Sequence, residues 1–196
     1  MLKQANNAAH QTVNDEPGFP CINRGYNSVF HPNRLSLGLV VPLETYSQGP
    51  APTMTRHLER VQLAEQLGLA AVWLRDVPFN VPSFGDAGQM YDPFVYLGLL
   101  AGQTKWIALG VASVVLPLRH PAHVAKAAAS VDVLSGGRLI LGVASGDRPD
   151  EYPALNLPFA ERVKWSTRSG HRVKAVKCHN EVSNDNRDEK ATELYR

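Results

Sequence analysis

The 196-residue sequence has little sulfur, little net charge and no long apolar run, and each shortage closes off a class of protein. Its two cysteines, Cys21 and Cys178, stand far apart with no ligand-like spacing, which argues against a disulfide scaffold and against a zinc site. A reducing cytoplasm is the expected setting. The net charge of +2 is too small to call for nucleic acid or an anionic membrane as a partner. No uninterrupted apolar stretch reaches the roughly 18 residues that a membrane span requires. The opening segment MLKQANNAAHQTVNDEP lacks the apolar centre of a secretion signal. Nucleotide and hydrolase signatures are missing too. There is no G-x-x-x-x-G-K-[ST] loop and no G-x-G-x-x-G after the first strand-like segment. A G-x-S-x-G nucleophile elbow is also absent, because Ala144-Ser145-Gly146 has no glycine at the required offset.

What is present is an ordinary globular balance, 44% hydrophobic and 19% charged, with room for one sizeable core. The basic residues are uneven: nine of the 20 Lys and Arg fall within residues 161–196, where the apolar periodicity also fades. The chain divides into a polar arm (1–33), an α/β body (34–162) and a polar, basic tail (163–196).

Within the body, Arg34 to Val41 reads as a strand, apolar enough to be buried on both faces. After a Gly/Pro-rich loop, Thr53 or Thr55 can cap a helix that faces inward through Met54, Leu58, Val61 and Leu67 and stops at Gly68. Leu69 to Leu74 is the second strand. Asp92-Pro93 marks the next helix start, a capping carboxylate followed by a proline whose missing N–H costs nothing there; Val95, Leu99 and Leu100 are its packing residues. The third strand runs from Ile107 to about Val115. His120-Pro121 opens an alanine-rich helix that ends at Gly136-Gly137, and Arg138 to Val143 is the fourth strand. The order β-α-β-α-β-α-β implies a parallel sheet covered by helices. The first strand runs on into Val-Pro-Leu-Glu-Thr-Tyr, which excludes a dinucleotide fold, so long loops at strand C-termini point to a (β/α)8 barrel.

Several ordered motifs make a resemblance specific. The segments Trp73 to Phe79 (WLRDVPF), Pro82 to Gly88 (PSFGDAG), Leu116 to Pro121 (LPLRHP), Ala127 to Asp132 (AAASVD), Leu134 to Arg138 (LSGGR) and Gly142 to Pro149 (GVASGDRP) resemble the N-terminal half of the bacterial luciferase-like flavin monooxygenases. The resemblance implies a TIM barrel that binds reduced FMN supplied by a reductase, or a deazaflavin in some relatives, and that acts on a small organic substrate. It also implies a cis peptide at Ala112-Ser113 supporting the flavin ring, and ring-edge contacts from Ala144 and Ser145. Catalytic or substrate-orienting roles fall to Asp76, at the end of the second strand, to Arg148 and to His120. No metal is implied.

Each of these residues also has a plainer reading. Ala112 and Ser113 can simply pack a strand end, Asp76 can pair with Arg75 or cap a loop, and Asp147 and Arg148 can pair within their own loop. His120 can cap its helix, while His57, on the first helix near Arg56 and Glu59, reads as a solvated face. Phe79, Phe84 and Tyr91 are candidates for an apolar wall that would keep water from the flavin. Luciferase itself is known for a catalytic histidine close to Asp76; here the sequence is Arg75-Asp76-Val77.

An eight-stranded barrel takes about 250 residues, and the body supplies only the first four βα units, a half-barrel. The pattern breaks off after about Arg162, as a truncated or frameshifted gene would. Phosphate-holding residues of the second half are then missing, and the chain alone is expected to hold FMN weakly or not at all. Three alternatives stay open: an oxidoreductase made active by pairing of two half-barrels as a homodimer, a non-catalytic remnant, and a small interaction module.

Overall fold

The computed structural model describes residues 22–42, 52–79, 81 and 91–170. Four strands, β1 (Gly38–Val40), β2 (Ala71–Leu74), β3 (Ala108–Val115) and β4 (Leu139–Ala144), form one sheet in the order β1-β2-β3-β4. All three pairings are parallel. Helices α2 (His57–Gln66), α3 (Pro93–Gln103) and α4 (Pro121–Ser135) are the crossovers. These are four successive units of a (β/α)8 arrangement, a half-barrel, as the sequence order implies.

The two faces of the sheet are built differently. Val72, Leu74, Leu109, Val111 and Leu139 turn toward the helices and merge with Val61, Leu97, Leu100 and Val124 into the main core. Alternation sends Ala71, Trp73, Ala108 and Ile140 to the other face, where they pack with Val29. Trp73 lies flat across that face. A side chain at either Gly38 or Gly110, its neighbours on the adjacent strands, would collide with the indole.

Val29 belongs to a short helix, α1 (Arg24–Val29), inside the segment read from sequence as a polar arm. Its contacts are mostly polar and so leave no apolar periodicity. Asn23 caps the helix through the Tyr26 N–H, and its amide donates to Asp132 and to the Leu139 carbonyl. Gly25 sits directly against the Arg138 backbone, where no side chain fits. At the other end, residues 162–170 are helical, so part of the expected tail is ordered; residues 171–196 lie outside the described ones.

Most expected boundaries shift by a few residues, and several packing expectations are corrected. The β1 segment, expected to be buried on both faces, leaves Leu35, Leu37 and Val40 exposed as an edge strand, and Leu67, expected to face inward, is 70% exposed. Helix α2 begins at His57 behind Arg56, whose φ of 55° is left-handed; Thr53 Oγ1 accepts the Thr55 N–H, and neither threonine caps the helix. On α3 the buried face is Phe94, Leu97, Leu100 and Ala101, while Val95 is 74% exposed and Leu99 is also exposed. That helix is apolar all round, so hydrophobicity alone cannot set its rotation. Its cap does: Asp92 Oδ1 accepts the N–H groups of Phe94 and Val95, with Pro93 at the first turn as expected. His57, expected on a solvated face, is buried with Nδ1 2.8 Å from the Tyr96 hydroxyl.

The strand N-terminal end is locked by two side chains that sequence reasoning did not single out. Glu65 Oε1 accepts three successive N–H groups, from Lys105, Trp106 and Ile107, at 2.6–3.0 Å. Arg138 is 2% exposed and forms no salt bridge among the described residues. Its guanidinium donates to the carbonyls of Ser135, Ile107, Ala101 and Thr104 and to the Thr104 hydroxyl. Three of those carbonyls lie at or just beyond the C-terminal ends of α3 and α4, the negative ends of their dipoles.

Candidate functional site

At the opposite end, where the strands finish, a cleft of about 340 Å³ opens. Strand C-termini are where parallel α/β proteins hold ligands, and the sequence explains why this end stays open. Ala112 and Ser113 on β3, and Ala144 and Ser145 at the end of β4, bring small side chains to the floor. Gly142 faces the Val111 carbonyl at a spacing that admits no Cβ. The Ala112–Ser113 peptide is cis, in agreement with the expectation drawn from the family resemblance. The ladder between β3 and β4 slips here, between Val111 and Val114.

Asp76, Arg148, Ala112, Ser113, Ala144 and Ser145 all line this one cleft, so the fold brings together six of the seven residues expected from sequence. His120 is the exception. It precedes α4 without a side-chain cap hydrogen bond, edge-on to His123, and lines a separate groove of about 480 Å³ with Trp165 and Arg168.

Asp76 does not take the partners expected for it. Its side chain is 1% exposed and is gripped by Arg119: Nε donates to Oδ2 at 3.0 Å and Nη2 to Oδ1 at 2.6 Å. Oδ2 also accepts the Val115 N–H at 3.0 Å. Both oxygens are engaged, so the geometry does not offer the free carboxylate that proton transfer needs. Arg119 reaches further, donating through Nη1 to Asp92 Oδ2 at 2.8 Å and lying over the Phe94 ring. Its burial works against the charge, but hydrogen bonds and attraction from Asp76 and Asp92 prevail and hold the guanidinium above its ordinary value. Arg119 was missed because its partner lies 43 residues away, a separation that no local pattern reports.

The loop after β4 shapes the remaining wall. Gly146 has φ +79°, and a Cβ there would strike Tyr152 and Val115. The Tyr152 hydroxyl donates to the Ser145 carbonyl, and its ring meets Phe159 edge-on at 5.1 Å. Burial raises the Tyr152 phenol above its ordinary value. Arg148 and Glu151 are both buried along the cleft, and Asp147, although exposed, lines the same cleft. Phe79 and Tyr91, expected as an apolar wall, are partly exposed and do not line the cleft, and Phe84 lies outside the described residues.

Comparison with known proteins agrees with this architecture. The luciferase-like monooxygenase family model matches residues 29–166. The 4-hydroxyprotoasukamycin monooxygenase of Streptomyces nodosus subsp. asukaensis is 30% identical over 129 residues, 65% of this chain and 33% of that protein. The oxygenase component of the flavin-dependent trigonelline monooxygenase of Acinetobacter baylyi is 36% identical over 120 residues, 61% of this chain and 32% of that protein. The match therefore spans about a third of the length of these curated relatives. Among solved structures, the FMN complex of the oxygenating constituent of 3,6-diketocamphane monooxygenase from Pseudomonas putida aligns with a TM-score of 0.61 at 18% identity, over 70% of this chain and 38% of that one. That likeness bears on the fold alone. Motifs, half-barrel and family match converge, and the chain belongs to the luciferase-like monooxygenase family.

Proposed function

We propose that the cleft is the ring-binding side of a flavin site in an oxidoreductase that monooxygenates a small organic substrate with reduced FMN and oxygen. The observation that carries this reading is the convergence of Ala112, Ser113, Ala144 and Ser145 on one floor at the strand C-termini. A planar tricyclic ring needs such a floor, because any larger side chain would hold it off the backbone. The cleft's volume falls at the small end of the usual ligand-site range of about 300–1,000 Å³.

When bound, a reduced flavin supplies the electrons, and the protein's part is orientation, water exclusion and hydrogen bonding. Ala112 and Ser113 would support the ring face, and Ala144 and Ser145 its edge. The Arg148 guanidinium, buried at the rim, would orient the pyrimidine oxygens or an anionic group of the substrate. Asp76 holds the end of β3 in place. His120 is left outside this reading, since it lines another groove.

Fluorescence titration of the whole chain with FMN, and in parallel with a deazaflavin, tests the proposal. Saturable quenching by one of them that is lost in Ala144→Trp, which fills the floor, is the expected result. Quenching unchanged by that substitution, or none with either cofactor, would overturn it. Size-exclusion chromatography of the same samples reports whether binding accompanies a second copy of the chain.

A further inference from the structure

Strand β3 passes its most irregular stretch where the cleft floor lies. The β2–β3 ladder ends at the pair Leu74–Val111, and the β3–β4 register slips between Val111 and Val114. Regular strand pairing therefore thins on both sides of Ala112 and Ser113. Immediately past the slip, the Val115 N–H finds a side chain in place of a strand: Asp76, two residues beyond the end of β2, accepts it at 3.0 Å. The carboxylate continues the ladder that the β2 backbone has left.

A carboxylate 1% exposed holds such a position only if its charge is matched and its direction fixed. Arg119 does both, with two parallel N–H bonds to the two oxygens. Arg119 is fixed in turn by Asp92, whose other oxygen caps α3. One guanidinium thus ties together the end of β2, the end of β3 and the start of α3.

We infer that Arg119 is a positioning residue for the flavin, which sets the height and tilt of the Ala112–Ser113 backbone through Asp76 and Val115 without itself touching the ring. This role rests on the flavin reading given above. It assigns Asp76 to support of the cleft floor, and it gives a role to Arg119, which lies within the LPLRHP segment but outside the cleft lining.

The test is amide hydrogen exchange, resolved by residue, on the full chain and on Arg119→Gln, together with an FMN titration of both. Loss of the charge-assisted anchor should speed exchange at Val115 by about tenfold or more. Leu109, in the same strand but bonded to the Arg138 carbonyl, should keep its parent rate. FMN affinity should fall by about the same factor. A purely structural role predicts instead an equal rise at Val115 and Leu109 through global unfolding, and that result would overturn the inference. So would a local rise at Val115 with FMN affinity unchanged. If the parent itself binds no FMN, the flavin reading fails on its own, and the exchange pattern still decides whether the clasp anchors β3. Should Arg119→Gln not fold, Asp92→Asn removes the outer charge while keeping a side-chain oxygen for the α3 cap, and should give the same local pattern, smaller in size; no change at Val115 there would also count against it.

Discussion

Arg138 and Arg119 sit at opposite ends of the same sheet, each held by several hydrogen bonds, and they are neutralised by opposite means. Arg138, at the strand N-termini, meets carbonyl oxygens and one hydroxyl, and burial pulls its guanidinium below the ordinary value, with Arg24 adding to the effect. Arg119, at the C-termini, meets two carboxylates and is held above its ordinary value. Backbone dipoles cannot be removed without unmaking the helices that carry them, so the Arg138 end is part of the fold itself. Side-chain carboxylates can be exchanged one at a time. The comparison teaches that the buried arginine at the scaffold end is answered by main-chain carbonyls, whereas the one at the ligand end is answered by substitutable side-chain charge.

The sharpest way to break this comparison is Arg138→Met, which leaves buried carbonyls and a hydroxyl without their donor. We expect a loss of about 3–5 kcal/mol in urea unfolding, insensitive to salt. Asp76→Ala should cost less, about 2–3 kcal/mol, because Arg119 keeps 24% of its side chain in water and can recover some hydration. Part of that cost should fade in high salt, and equal salt sensitivity at the two ends would erase the distinction. Asp92→Ala removes a helix cap and the outer half of the clasp, and about 1 kcal/mol is expected, measured the same way.

An effect confined to alkaline pH lies between the two ends, at Tyr96 on α3. Burial, with a contribution from Tyr91, pushes its phenol up to about 12 from 10.0. The folded protein therefore keeps a proton that the unfolded chain gives up, and this contribution is complete below pH 10.0 and lost as pH rises toward 12. Ultraviolet titration of tyrosinate should show a late-ionising group that disappears in Tyr96→Phe. In Tyr96→Phe the corresponding slope in alkaline stability should vanish, at the cost of the hydrogen bond to His57.

Features written in adjacent residues were legible in the sequence. The Asp92-Pro93 helix start and the Gly136-Gly137 stop need only local chemistry, and both appear where expected, Gly136 with φ +67°. The half-barrel followed from the order of apolar segments, and the floor of the cleft from motifs shared with the family. What escaped was long-range or polar. Arg119 finds Asp76, Glu65 collects three N–H groups about 40 residues on, and α1 docks through Asn23 and Gly25; none of these leaves a periodic trace. His57 was misplaced because polar neighbours in sequence say nothing of Tyr96 across the helix pair. Val95 and Leu99 were assigned to the core because a wholly apolar helix hides its own phase.

The flat packing of Trp73 over Gly38 and Gly110 has a consequence for how this family can drift. The indole occupies volume on behalf of three positions, so none of them is free to change alone: an alanine at 38 or 110 meets the ring, and a smaller residue at 73 leaves a void above two glycines. Viable lineages should therefore exchange the three together, and positions 38, 73 and 110, which lie far apart in the chain but under one indole on the sheet, should covary among relatives as one inherited unit.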